Sequence, residues 1–138
     1  MDDLLYKEES FRIIGACMEV HRQLGPGFLE SIYQEALAME FRLRGIPFIE
    51  QYEVGVYYKD SLLQKKFKPD YLCYEKIIVE IKAISALTHA DHSQVLNVLK
   101  ATRLTLGLLI NFGEISLKHH RFISTSSNPR NFPLNDEE

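Results

Sequence analysis

Two stretches near the start of the chain repeat apolar residues at the spacing of an amphipathic helix. The first predicted helix covers residues 8–24, and Gly25-Pro26-Gly27 ends it because glycine suits a helix C-cap and proline cannot continue a helix. The second predicted helix covers residues 29–44, and Gly45-Ile46-Pro47 ends it in the same way. The apolar positions are Phe11, Ile14, Met18, Val20 and Leu24 in the first helix and Ile32, Ala36, Leu37 and Phe41 in the second.

From residue 49 the apolar spacing changes to two, which is the period of a β-strand. The continuous apolar run at residues 77–84 is typical of a strand that is covered on both faces in the middle of a sheet. The predicted strands are residues 49–58, 62–67, 71–74, 77–84, 106–112 and 115–123, with a third helix over 90–103 and the last strand at an edge. This order predicts an α/β (α+β) fold with one central mixed β-sheet flanked by helices.

The chain length of 138 residues fits one domain, which we place at residues 1–123. The polar segment 124–138 is predicted to be a flexible C-terminal tail because it is rich in Ser, Asn, Pro and acidic residues. The sequence contains no signal peptide and no apolar run close to the ~20 residues of a membrane helix, so we expect a cytoplasmic protein without a membrane partner. Cys17 and Cys73 lie in apolar stretches and are predicted to be buried thiols.

The net charge is −3 and the sequence pI is about 6.0. This balance argues against a passive nucleic-acid coat protein, which is usually basic. It does not exclude a nuclease, because a catalytic metal site needs clustered carboxylates. Lys65, Lys66 and Lys68 form either a local basic patch or the solvated side of a strand.

Asp70, Glu80 and Lys82 form the constellation with the clearest chemistry. Glu80 and Lys82 are two residues apart on a strand and therefore share a face, and the turn before that strand brings Asp70 beside Glu80. Two adjacent carboxylates repel each other, and a hard cation such as Mg²⁺ relieves that repulsion. Lys82 can then orient or help deprotonate a water molecule. The alternative is a salt bridge from Lys82 to Glu80 or Asp70 on a solvated sheet face.

These residues lie in motifs of a known family. Lys68-Pro69-Asp70 followed by Val79-Glu80-Ile81-Lys82 resembles the PD-(D/E)XK nuclease superfamily, and Gly27-Phe28-Leu29-Glu30-Ser31-Ile32-Tyr33 is similar to the signature of its GxxExxY branch. The segments His92-Ser93-Gln94, Leu99-Lys100-Ala101-Thr102 and 107–113 are similar to the same branch. The resemblance spans roughly residues 5–123.

The resemblance implies a restriction-endonuclease-like core in which Asp70 and Glu80 hold one or two Mg²⁺ or Mn²⁺ ions. It also implies that the backbone carbonyl of Ile81 is a further metal ligand, that Lys82 sits at the attacking water and that Glu30 completes the site. Gln94 matches a glutamine of exonuclease-type members, where it contacts the scissile phosphate or a metal-bound water. Those members have a tyrosine four residues later, whereas this chain has Val98.

Several polar residues near these motifs have more than one interpretation. Glu30 near the start of a helix also complements the helix dipole, and Tyr33 either bonds to the site or packs in the core. His89 and His92, on either side of Asp91, could suggest a transition-metal site, but without further ligands we predict that they are solvated loop histidines before a helix. Adjacent histidines at 119–120 point to opposite faces of a strand, so we do not expect them to chelate a metal together.

The leading functional hypothesis is metal-dependent hydrolysis of nucleic-acid phosphodiester bonds, with DNA favoured by analogy. The second is a nuclease-fold nucleic-acid-binding or interaction module with little or no turnover, which the low basic charge and Val98 favour. The third is hydrolysis of a nucleotide or another small phosphate ester. Because many superfamily members dimerise to cut both strands, the resemblance is also compatible with a homodimer.

Overall fold

A computed structural model describes residues 5–124 of the chain. The predicted tail therefore lies outside the described residues, apart from Ser124. The helices are α1 (Lys7–Leu24), α2 (Glu30–Leu43) and α3 (His89–Thr102), and the strands are β1 (Phe48–Glu50), β2 (Val54–Tyr58), β3 (Ser61–Phe67), β4 (Tyr71–Cys73), β5 (Ile77–Lys82), β6 (Leu106–Asn111) and β7 (Lys118–Ile123).

The main sheet is mixed and has five strands in the order β1-β4-β5-β6-β7. Strands β5 and β6 pair in parallel, and the other neighbours are antiparallel. The central position of β5 confirms the prediction for the apolar run at 77–84, and the edge position of β7 confirms the prediction for the last strand. The sheet with flanking helices confirms the α+β, restriction-endonuclease-like fold class.

The prediction of a single sheet is wrong for the segment 49–67. Strand β1 joins the main sheet, whereas β2 and β3 form a separate two-stranded hairpin. Gln51 separates β1 from β2 with a positive φ of 54°, and its backbone N–H donates to the carbonyl oxygen of Asp70 at 3.1 Å. The left-handed conformation at Gln51 turns the chain out of the sheet, and alternating hydrophobicity carries no signal of that turn.

Helices cover both faces of the main sheet. Helices α1 and α2 pack on one face, and α3 packs on the other face over Leu72, Ile78 and Leu109. The predicted apolar side of α1 is wrong at Phe11 and Met18, which are 78% and 52% exposed. The side that packs contains the predicted residue Val20 together with Ile13, Ala16 and Cys17.

The small side chains Ala16 and Cys17 are fully buried on the side of α1 that faces the core. Both cysteines are buried and free, as predicted. Within residues 5–124, no helix is long and apolar enough to cross a membrane.

Candidate metal and nuclease site

Asp70 and Glu80 form a hydrogen-bonded carboxyl pair at the end of the β4–β5 ladder. Tyr71 pairs with Val79, so the next position along the ladder sets Asp70 opposite Glu80. The backbone N–H of Ile81 donates to Asp70 Oδ2 at 2.7 Å. This contact fixes the Asp70 carboxylate. The strand register thus sets Asp70 beside Glu80, as the turn between the two strands predicted.

Burial raises the pKa of Glu80, and the negative charge of Asp70 raises it further. Burial also raises the pKa of Asp70, while the hydrogen bonds from Ile81 and Glu80 act in the opposite direction. The hydrogen bond between the two carboxyl groups raises the pKa of Glu80 and lowers that of Asp70. The repulsion between two buried carboxylates favours binding of a proton or of a cation at this pair.

Lys82 follows Glu80 on the same face of β5, and its ammonium group pairs with a residue of α3. The distance from Lys82 Nζ to Asp91 Oδ1 is 3.6 Å. Asp91 is held in place by a capping box, in which its carboxylate accepts from the backbone N–H of Thr88 at 2.8 Å. The alternative prediction, an ion pair from Lys82 to Glu80 or Asp70, is therefore wrong about the partner, because Lys82 pairs with Asp91.

Sequence reasoning missed Asp91 as the residue that positions Lys82. The available signal was Thr88-Xaa-Xaa-Asp91, the spacing of a capping box before a helix. That spacing predicts where α3 begins. It does not predict that the same carboxylate reaches across to β5.

A cavity of about 250 Å³ lies between β5 and the start of α3. Gln94 lines it together with Glu80, Lys82 and Asp91, and the remaining wall is formed by Ala90, Val95 and Leu109. The structure therefore brings the predicted residue Gln94 to the same cavity as Glu80 and Lys82. A cavity lined by carboxyl, ammonium and amide groups can bind a phosphate group and a water molecule.

Glu30 is the first residue of α2, as its helix-dipole interpretation requires. The residue is exposed, yet partial shielding of its carboxyl group raises its pKa, and the charge of Asp70 raises it further. Lys82 lowers the same pKa. Glu30 thus lies within electrostatic range of the pair, and its role as a metal ligand stays a prediction.

The oxygen donors present at this site suit a hard cation. Two carboxylates and the Ile81 carbonyl, which lies on the same side of the strand as the Ile81 N–H, form an oxygen-only donor set of the type Mg²⁺ and Mn²⁺ prefer. Among residues 5–124, however, no group of three or more His, Cys, Asp and Glu side chains is arranged to hold a metal ion. The side-chain donors that fit are therefore the Asp70–Glu80 pair.

Tyr33 packs in the core and does not bond to the carboxylates. Its ring stacks on Phe112 with centroids 4.7 Å apart. Its hydroxyl donates to the carbonyl oxygen of Gly25 and accepts from the backbone N–H of Phe28, the latter at 3.2 Å. Tyr33 therefore stabilises the turn that precedes α2, and this turn positions Glu30.

Replacing Tyr33 with Phe should lower the free energy of unfolding by about 1–2 kcal/mol, because two partly buried backbone groups lose their partner. Urea denaturation measures this change. Tyr58→Phe is the matched control, since Tyr58 is 63% exposed, and it should leave stability unchanged. Equal stability of the two variants would contradict the structural role of the Tyr33 hydroxyl.

Asn111 is a fully buried residue that sequence reasoning did not assign to the site. Its side-chain N–H₂ donates to the Ile84 carbonyl at 2.9 Å and to Glu114 Oε2 at 2.8 Å. Its side-chain oxygen accepts from the N–H groups of Ile84 at 3.0 Å and Gly113 at 3.1 Å. Asn111 thus fixes the chain that leaves β5 directly after Lys82.

Lys65 and Lys66 belong to β3 of the separate hairpin, and Lys68 follows that strand. Lys66 and Lys68 lie 3.6 and 3.8 Å from the carboxylate of Glu53. Lys65 is exposed. Surface ion pairs with Glu53 therefore account for two of the three lysines.

Comparison with known proteins agrees with this fold. A family model described as the PD-(D/E)XK nuclease superfamily matches residues 7–122, which is more than half of the chain. The match contains all of the predicted site residues. No curated protein and no solved structure matches the chain.

Proposed function

Because the chain belongs to the PD-(D/E)XK nuclease superfamily, we propose that it is a nuclease of the GxxExxY branch that hydrolyses phosphodiester bonds of DNA with Mg²⁺ or Mn²⁺. The observation that carries this proposal is the meeting of the Asp70–Glu80 pair and Lys82 at one end of β5. The catalytic residues are Lys82, Glu80 and Asp70, with Glu30 and Gln94 in supporting roles. Asp70, Glu80, Glu30 and the Ile81 carbonyl are the proposed metal ligands.

A bound divalent ion would supply Lewis-acid stabilisation of the phosphate and of the water that attacks it. The Asp70–Glu80 pair would hold that ion through its deprotonated carboxylates. Lys82, held by Asp91 at 3.6 Å, would orient the attacking water and offset the negative charge that develops on the phosphate. Gln94 would hydrogen-bond the scissile phosphate from the opposite wall of the cavity.

A non-catalytic module on the same fold is the second candidate. Two observations favour it: the net charge of −3 and the lack, within residues 5–124, of three clustered metal-binding side chains. Such a module would bind nucleic acid without cutting it. A small phosphate ester as substrate is the third candidate, and it would need the cavity but no extended groove.

The test is incubation of the full chain with supercoiled plasmid, with single- and double-stranded oligonucleotides and with a small phosphodiester, in Mg²⁺, in Mn²⁺ and in excess chelator. We expect cleavage that requires Mg²⁺ or Mn²⁺ and stops when the metal is removed. DNA binding without cleavage in either metal would overturn the enzyme proposal in favour of the binding module. Hydrolysis of a small diester without any cleavage of DNA would assign the third function.

A further inference from the structure

His92 and His120 lie against each other beside the cavity. The two rings have centroids 5.2 Å apart and planes inclined by 53°. His92 belongs to the first turns of α3, and His120 belongs to the edge strand β7. We propose that these two side chains form a binding site for a transition-metal ion of the zinc class, separate from the carboxyl pair.

The separation of the rings suits one shared ion. Two imidazoles that bind a tetrahedral zinc through nitrogens at ~2.0–2.1 Å place their ring centres roughly 5 Å apart. Their planes are inclined rather than parallel, as expected for rings that approach one point from two different elements. Imidazole nitrogen also favours zinc, nickel and copper over magnesium.

One ring nitrogen of this pair has an unused bonding position. His92 Nε2 is buried and has no hydrogen-bond partner among residues 5–124. Phe122 packs against the same ring at 5.4 Å between centroids and shields it from water. A buried polar atom without a partner costs free energy, and a bound ion would remove that cost.

The strand register separates this pair from the proposed nuclease centre. Glu80 pairs with Leu109, and Leu109 pairs with His120, so His120 lies two strands away from Glu80 on the same face of the sheet. At ~4.8 Å per strand this is about 10 Å between backbones. Neither histidine lines the cavity that contains Glu80 and Lys82.

The site has two protein ligands, so water that enters from the exposed side, at His120, would complete the coordination. An ion held in this way joins the start of α3 to β7 and should stabilise the folded state, because a ligand that binds only the native protein raises its melting temperature.

The solvated-loop prediction is wrong for His92, which lies in α3 and is half-buried. His119 lies on the opposite face of β7, among residues of α1, as the strand alternation predicted.

The experiment is calorimetric titration of the full chain with ZnCl₂, together with melting curves in the same solutions. We expect one zinc ion per chain in the wild type and affinity that falls about tenfold or more in both His92→Phe and His120→Ala. His92→Phe keeps the ring packing against Phe122, and His120 is exposed, so both variants should fold. His119→Ala and His89→Ala are the matched histidine controls and should bind zinc as the wild type does.

The double variant Asp70→Asn/Glu80→Gln separates this site from the carboxyl pair. It should retain zinc binding even if it loses every effect of Mg²⁺. Unchanged zinc affinity in His92→Phe or in His120→Ala would overturn the proposal. Loss of zinc binding in the double variant would overturn it too, because the ion would then belong to the carboxyl pair.

Discussion

Lys82→Ala should reduce metal-dependent DNA cleavage by about 10²–10⁴-fold while leaving the protein folded. Lys82 shares the cavity wall with Glu80 and presents an ammonium group where a reacting water and phosphate would lie. Its side chain is 36% exposed, so its removal creates no sealed cavity. Single-turnover cleavage with saturating Mn²⁺ measures the rate, and circular dichroism checks the fold.

Lys100→Ala is the matched control, because Lys100 is an exposed lysine of α3 and its removal changes the net charge equally. It should cut DNA at nearly the wild-type rate. Asp91→Asn should give an intermediate loss, because it leaves the ammonium group in place but removes the carboxylate that orients it. Cleavage by Lys82→Ala at the wild-type rate would remove the assignment of Lys82 as a catalytic residue.

The position of the carboxyl pair was predictable because local rules determine it. The apolar run at 77–84 requires a strand that is covered on both faces, and strand alternation then sets Glu80 and Lys82 on one face. A tight turn at Glu75-Lys76 brings the preceding strand back, which leaves Asp70 opposite Glu80. Each step involves residues that are close in sequence, so periodicity and turn chemistry suffice.

The contacts that hold Lys82 were not predictable in the same way, because they join distant parts of the chain. Asp91 reaches Lys82 through the packing of α3 on the sheet, and Asn111 reaches Ile84 across 27 residues. Hydrophobicity also misplaced the buried side of α1. The large residues Phe11 and Met18 are exposed, whereas the smaller residues Ala16 and Cys17 are fully buried.

Asn111→Ala should lower the free energy of unfolding by about 3 kcal/mol or more, which is the largest stability effect that we expect from a single polar substitution in this protein. The substitution removes the partner of both backbone groups of Ile84, of the Gly113 N–H and of Glu114 Oε2. The segments around Ile84 and Gly113 are in close contact, because a methyl group added to Gly113 would lie 2.3 Å from the Ile84 carbonyl oxygen. Water therefore has little room to replace the lost hydrogen bonds.

Chemical denaturation of Asn111→Ala should be compared with that of Asn97→Ala, which removes an exposed asparagine from α3. The control should match or slightly exceed the wild type, because alanine favours a helix more than asparagine does. An Asn111→Ala protein within about 0.5 kcal/mol of the wild type would contradict the role of the buried amide. DNA cleavage should also fall in Asn111→Ala, measured at temperatures where the variant remains folded. Asn111 fixes the backbone that leaves β5 directly after Lys82, and this backbone sets the direction from which the Lys82 side chain enters the cavity.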